Sequence, residues 1–74
     1  MDVTRLVAMA NDIAAFFDSE RDKAVAAEGV RFHISRFWEK RMRQAIIAHV
    51  AAGGVGLTST AKSAVLLLQS PSPE

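Results

Sequence analysis

The sequence of 74 residues predicts an all-α fold, a small three- to four-helix domain with compact orthogonal or bundle-like packing. Apolar residues recur every three or four positions through most of the chain, which is the spacing of one helix face. The paired glycines and both prolines stand where such stripes end, and no stretch alternates apolar and polar residues as a strand would. We therefore expect a single helical domain over residues 1–69 and a flexible C-terminal tail over residues 70–74.

The first two helices are predicted from their apolar stripes. A first helix is expected over residues 3–17, with a stripe that Met9 and Phe16 widen and that comprises Val3, Leu6, Val7, Ala10, Ile13, Ala14 and Phe17. The polar stretch 18–22 then predicts a turn, with Ser19 as the capping oxygen of a second helix. The core-facing side of that second helix is predicted to carry Ala27, Val30, Ile34, Phe37 and Trp38. Gly29 in its interior costs about 1 kcal/mol relative to alanine, which indicates that another group approaches it closely.

The second half of the chain predicts one or two further helices. A stripe through Met42, Ile46 and either His49 or Val50 continues as far as Ala52, and the sequence leaves open whether a break at Glu39–Lys40 divides two helices. The pair Gly53–Gly54 should end this segment, because glycine accepts the left-handed conformation that closes a helix. Thr58 or Ser59 can cap a final helix that runs to about Gln69, with inward residues Ala61, Ala64, Val65 and Leu68.

Size and composition predict a chain that associates with another protein. A domain this small buries only about 60% of the surface that its unfolded chain exposes, and small domains usually gain stability from disulfides, metals or association. Half of the residues are hydrophobic and there is no cysteine. Residues 1–30 carry six acids against three bases and residues 31–43 carry five bases against one acid, which suits docking in a fixed orientation. Without a basic leader or an apolar run of about 20 residues, the protein is expected to be cytoplasmic, with no membrane partner.

The residues that could carry chemistry do not form a recognisable site. His33 and His49 are sixteen positions apart with no cysteine nearby, so we expect no catalytic, cofactor-binding or metal-binding residue. Both histidines are expected to be buried or half-buried and to bond a backbone carbonyl or a partner group. The run from Gly53 to Gly56 follows a predicted helix and lacks the spacing of a phosphate loop, so it is interpreted as a helix terminator.

The segment 31–43 permits a different function. It interleaves five basic residues with aromatic ones, a combination that grips nucleic-acid backbones and stacks on bases. The segment is short, the whole chain is nearly neutral, and Phe37 and Trp38 are predicted to face the core, so we expect no nucleic-acid partner. Nucleic-acid binding is kept as an alternative, and so is a free-standing homo-oligomeric helical interaction protein.

A contact patch for a partner is predicted on the second helix. At 100° per residue Phe32 lies roughly opposite Ile34, on a face shared with Val25, Gly29 and Arg36. Aromatic and arginine residues are enriched at interface centres. The complete predicted partner interface comprises Val25, Gly29, Phe32, Arg36, Trp38, Arg41, Met42 and Arg43.

Several segments, taken in order, resemble one family over residues 3–68. They are the run from Leu6 to Phe17, Gly29-Val30, His33-Ile34, Phe37-Trp38, Arg41-Met42-Arg43 and Gly53-Gly54-Val55-Gly56-Leu57. Their order and spacing are similar to those of the delta subunits of soluble, molybdenum-containing, NAD-dependent formate dehydrogenases. The sequence departs from the family pattern at Glu39–Lys40, where an Asp-Pro pair is expected, and at Thr58–Ser59, where a proline commonly follows Gly-Leu. Both departures concern helix starts, where proline is favoured but replaceable.

The resemblance implies an accessory role in a cytoplasmic complex that oxidises formate to carbon dioxide and reduces NAD+. In that family the large alpha subunit carries the molybdenum bis-molybdopterin guanine dinucleotide cofactor and iron–sulfur clusters. The beta and gamma subunits carry FMN and further clusters, and the delta subunit carries none. The chain is thus expected to be non-catalytic and to dock on the alpha subunit, where it assists assembly, stability or cofactor insertion.

Overall fold

The computed structural model describes residues 2–69, and these residues form four helices. The helices are α1 (Val3–Phe17), α2 (Lys23–Phe37), α3 (Lys40–Ala51) and α4 (Ser59–Gln69). Helix α2 lies against α1 and α4, and α3 lies against α4 and α1, so that the four helices enclose one core. The predicted all-α fold is confirmed. The tail predicted at residues 70–74 lies outside the described residues.

Side-chain oxygens begin three of the helices. Asp2 accepts a hydrogen bond from the Thr4 amide at 3.0 Å at the start of α1, and Asp22 accepts one from the Ala24 amide at 3.0 Å at the start of α2. The prediction that Ser19 caps α2 was wrong, because Asp22 directly precedes the first helical residue and so reaches the second helical amide. Thr58 caps α4 through a 3.2 Å bond from the Ala61 amide, which confirms one of the two predicted caps.

The helical conformation is interrupted between α2 and α3 at Trp38, where the backbone is extended with φ −89° and ψ 139°. The break that the sequence left open is therefore real, and α3 begins at Lys40. Trp38 is buried, as predicted, but the prediction that Phe37 faces the core was wrong because Phe37 is largely exposed. Trp38 stands four residues after Ile34 and continues its stripe, whereas Phe37 is turned by about 100° from Trp38.

Glycines close α3 in the predicted manner. Gly53 and Gly54 have φ values of 123° and 66°, and the Gly54 amide donates to the His49 carbonyl at 2.9 Å. Carbonyls that the helix itself leaves unpaired thus find donors in the turn. Of the two inward residues that the sequence left open at the end of α3, Val50 is the buried one and His49 is half-buried.

A single amide side chain on α1 holds the loop between α3 and α4. The Asn11 Nδ2 group donates to the Gly56 carbonyl at 2.8 Å, and the Asn11 Oδ1 atom accepts from the Thr58 amide at 2.9 Å. The Asn11 amide therefore bonds both a carbonyl and an amide of the loop backbone. This contact fixes the loop that positions the first turn of α4.

The core is built from small and aliphatic side chains. Its buried hydrophobic members among residues 2–69 are Leu6, Ala10, Ala14, Ala26, Ala27, Val30, Ile34, Trp38, Ile46, Val50, Ala61, Ala64 and Val65. Six of these are alanines, whose short side chains allow neighbouring helices to approach closely. No phenylalanine belongs to this set, since Phe17 is only partly buried and the other three are exposed.

The close helix contact at Ala10 predicts a position-specific effect of added volume. Ala10→Leu should lower the free energy of unfolding by about 1 to 3 kcal/mol, because extra methylene groups force a well-packed core apart. Ala8→Leu on the exposed side of the same helix is the matched control and should change it by at most about 0.5 kcal/mol. Urea denaturation followed by circular dichroism measures both, and equal effects would show that the alanine contact is not tight.

The Asn11 contact predicts a loss of stability on its removal. Each of its two bonds contributes about 1 kcal/mol, and the better helix propensity of alanine offsets roughly 0.5 kcal/mol. Asn11→Ala should therefore lower the free energy of unfolding by about 1 to 1.5 kcal/mol, whereas Asp12→Ala next to it should have little effect. Thermal denaturation of both variants tests this, and an unchanged midpoint for Asn11→Ala would contradict it.

Candidate partner interface

Part of the predicted patch forms on the side of α2 that faces away from the core. Phe32 is 57% exposed and Val25 is 50% exposed. The Arg36 guanidinium carbon lies 5.8 Å from the centroid of the Phe32 ring, within range of a cation–π contact. We call these three residues, Val25, Phe32 and Arg36, the outer α2 face. It offers an apolar centre beside a cation, and its use as a partner interface stays a prediction.

Gly29 lies between this face and α1. A Cβ atom at this position would be 2.6 Å from two ring atoms of Phe17, so the Phe17 ring lies directly over the glycine backbone. The predicted close approach to Gly29 is thereby confirmed, and the approaching group is a side chain of this same chain. Gly29 is half-buried as a result.

The remaining residues of the predicted interface divide between surface and interior. Trp38 is only 5% exposed and belongs to the core, and Met42 is partly buried against that core. Arg43 is also partly buried and donates from a guanidinium nitrogen to the Trp38 carbonyl. Arg41 is exposed. The structure thus brings Phe32, Val25 and Arg36 together at the surface but does not bring Trp38 there.

A second apolar surface lies between α1 and α2, where the sequence predicted core. Its lining residues, Asp12, Ile13, Phe16, Phe17 and His33, form an open groove, which we call the aromatic groove. Phe16 is 77% exposed and meets the Phe17 ring edge to face at 5.2 Å between centroids. The Phe37 ring is 65% exposed and lies 4.8 Å from the His33 ring between centroids, which extends the groove along α2.

This groove was not predicted from the sequence, because its two exposed rings were expected to lie in the core of the domain. Phe16 was expected to widen the α1 stripe and Phe37 to face the core, and both predictions were wrong. Each of these phenylalanines stands next to a residue that fits the inward stripe better, Phe17 and Trp38 respectively. Adjacent residues can share one apolar helix face, so the spacing alone did not show which of two neighbouring aromatic residues would be buried.

The charged residues around these surfaces are unevenly paired. Among residues 2–69 there are two ion pairs, Lys23 with Asp18 at 3.7 Å and Arg31 with Glu28 at 2.9 Å. Within that same range Arg36 and Asp12 have no oppositely charged side chain within 4 Å. Asp12 lines the aromatic groove, and Arg36 stands one helical turn after the groove residue His33.

The segment 31–43 is divided by the fold. Arg31 pairs with Glu28, Arg43 bonds the Trp38 carbonyl, and Trp38 is buried. The prediction that Phe37 faces the core, which counted against nucleic-acid binding, was wrong, since the Phe37 ring is exposed. Of the basic and aromatic residues of this segment, the exposed ones are Phe32, Arg36, Phe37, Lys40 and Arg41.

The histidines have structural contacts. The His49 Nε2 atom lies 2.8 Å from the Val55 carbonyl oxygen, which can only accept, so this nitrogen donates the proton. The predicted bond of a histidine to a backbone carbonyl is confirmed at His49. Within residues 2–69 there is no group of three or more histidines, cysteines and acids that could hold a metal ion. Over the same stretch, no helix has the length and apolarity needed to cross a bilayer.

Together these features define a small all-α domain that leaves three of its four phenylalanines exposed on its surface. A family model described as "NADH-dependant formate dehydrogenase delta subunit FdsD" matches residues 5–65. The chain belongs to this family of formate dehydrogenase delta subunits. Searches of curated proteins and of solved structures give no match. A delta subunit implies partner subunits within one formate dehydrogenase.

Two neighbouring arginines on α3 should differ in their contribution to stability. Arg43→Gln should lower the free energy of unfolding by about 1 to 2 kcal/mol, because the Trp38 carbonyl loses a charged donor at a partly buried position. Arg41→Gln, at an exposed position, should leave it within about 0.5 kcal/mol. Chemical denaturation of the two variants measures this, and a destabilised Arg41→Gln with a neutral Arg43→Gln would reverse the assignment.

Proposed function

We propose that this chain is a non-catalytic accessory subunit of a cytoplasmic NAD-dependent formate dehydrogenase. In this proposal it docks on the large alpha subunit that carries molybdenum, within a complex that also contains beta and gamma subunits. Its function there is to assist assembly, stability or cofactor insertion. Membership of the delta-subunit family supports the host, and the exposed phenylalanines support the docking.

The observation that carries the proposal is the position of the phenylalanines. Burying a large apolar side chain stabilises a protein by about 1.5 to 3 kcal/mol. Phe16, Phe32 and Phe37 contribute little of this to the isolated chain because each is more than half exposed. A chain of this size has few other sources of stability. Contact of these rings with a partner would supply the missing burial, and binding would then stabilise the folded chain by mass action.

The chemistry of formate oxidation is assigned in this proposal to the other subunits. The bis-molybdopterin guanine dinucleotide cofactor, the iron–sulfur clusters and FMN need thiolates, phosphate-binding loops or enclosed pockets. This chain has no cysteine, and its glycine run from Gly53 to Gly56 turns from α3 towards α4. The lack of thiolate ligands supports the assignment of the iron–sulfur clusters to the other subunits.

Nucleic-acid binding remains a second candidate because of one observation, the exposure of Phe32 and Phe37 on either side of Arg36. Such binding weakens steeply as salt rises, since each phosphate contact releases a counterion. An anisotropy titration with single-stranded oligonucleotides at 50 and 200 mM salt separates the candidates. Affinity that falls steeply between these two conditions supports nucleic-acid binding, and no binding at either supports the accessory subunit.

The proposal predicts that variants of the outer α2 face weaken the complex. Phe32→Ala should reduce co-purification with a tagged alpha subunit because a ring at an interface centre contributes about 2 kcal/mol or more. With Arg36 at the rim of the interface, Arg36→Ala should mainly change how strongly binding depends on salt concentration.

Val55→Ala is the matched control, because Val55 is an exposed apolar residue in the loop between α3 and α4. Circular dichroism establishes that each variant is folded, and quantitative mass spectrometry measures the ratio of this chain to the alpha subunit. If Phe32→Ala and Arg36→Ala both co-purify as the wild type does, the outer α2 face is not the interface.

A further inference from the structure

We infer that the aromatic groove receives one amphipathic helix from another subunit of the same formate dehydrogenase. This inference rests on the proposed function and adds a second contact surface to the outer α2 face. The groove lies between α1 and α2, and none of the residues that line it belongs to the predicted patch, although Arg36 of that patch stands one helical turn after His33.

The shape of the groove suits a helix. Two neighbouring helices that pack together leave a furrow between them, and a third helix can set its ridge of side chains into that furrow. Here Phe16 stands on the α1 side, and His33 with Phe37 stands on the α2 side. The Phe17 ring lies across Gly29 at the junction of the two helices. Recognition of this kind uses apolar anchors at positions i, i+3, i+4 and i+7 of the bound helix.

The groove surface is suited to apolar anchors. Ile13 and Phe17 are partly buried against the core, and the rings of Phe16 and Phe37 project beyond them into solvent. Isolated exposed phenylalanines are ordinary, but here two of them flank partly buried apolar residues on adjacent helices. Aromatic residues in such an arrangement are typical of interface centres.

The charges at the edges indicate the chemistry of the occupant. Asp12 lines the groove on the α1 side. Arg36 is three residues after His33 on α2, so it lies one turn beyond the groove lining. Neither residue has an ion pair among residues 2–69. A helix that fits both edges carries a basic residue opposite Asp12 and an acidic residue opposite Arg36. This complementarity sets the orientation of the bound helix and suppresses its reverse placement.

Site-specific photo-crosslinking in the assembled enzyme tests the inference directly. Benzoylphenylalanine is placed at position 16, at position 37 or, as a control, at position 55, and the chain is co-expressed with the other subunits. Cross-links from positions 16 and 37 to one segment of a single partner subunit, with apolar residues at helical spacing, are expected. Cross-links from position 55 to that segment are not expected.

Two outcomes overturn the inference while leaving the proposed function intact. The first is a chain that co-purifies with the enzyme but gives no cross-link from positions 16 and 37. The second is cross-linking from these positions to a second copy of this chain only. If the wild-type chain is absent from the purified enzyme, the proposed function itself fails and this inference fails with it.

Affinity measurements with variants give an independent readout. Each of Phe16→Ala and Phe37→Ala should weaken binding to the enzyme assembled without this chain by about thirtyfold or more, as expected for anchor residues. Phe16→Leu keeps an apolar side chain and should recover most of the affinity, and Val55→Ala should leave it unchanged. Circular dichroism checks that the variants are folded. Folded alanine variants that bind as the wild type does would overturn the inference.

Discussion

The close contact of alanine-lined helices is the constraint on which the rest of this structure depends. Ala10 and Ala14 on α1, Ala27 on α2 and Ala64 on α4 are fully or almost fully buried in a single core. Helices that approach closely leave little interior space for large rings, and among residues 2–69 only Trp38 is a buried aromatic residue, with Phe17 partly buried at the junction of α1 and α2. The same constraint that makes the core compact therefore moves the phenylalanines outward. In this chain the packing of the interior determines the character of the surface.

The helices and most of their inward residues could be predicted from the sequence because these are local properties. Spacings of three and four residues gave α1 from residue 3 to residue 17, and Gly53–Gly54 gave the end of α3. Ser19 and Asp22 were confused because both can cap a helix, and only the first helical residue decides between them. Phe37 and Trp38 were both assigned inward because periodicity alone does not say how far a helix continues.

The candidate interface could be predicted only where a single helix presents it. Phe32 and Arg36 are one turn apart on α2, so their proximity follows from helix geometry. The aromatic groove joins residues of α1 with residues of α2, and its existence depends on how the two helices pack. Trp38 illustrates the converse case, because an aromatic residue beside arginines resembled a contact residue and is a core residue. Tertiary packing, which no local pattern encodes, decides such cases.

The glycine within α2 influences how deep the surface recess beside it can be. Because no Cβ stands at position 29, the Phe17 ring settles against the bare backbone. Any larger residue there would lift that ring outward and fill the recess from below. Such a replacement would favour the helix locally, by about 1 kcal/mol for alanine, yet flatten the outside of the molecule. A residue that weakens its own helix thus helps to shape the contour that a neighbouring protein would meet.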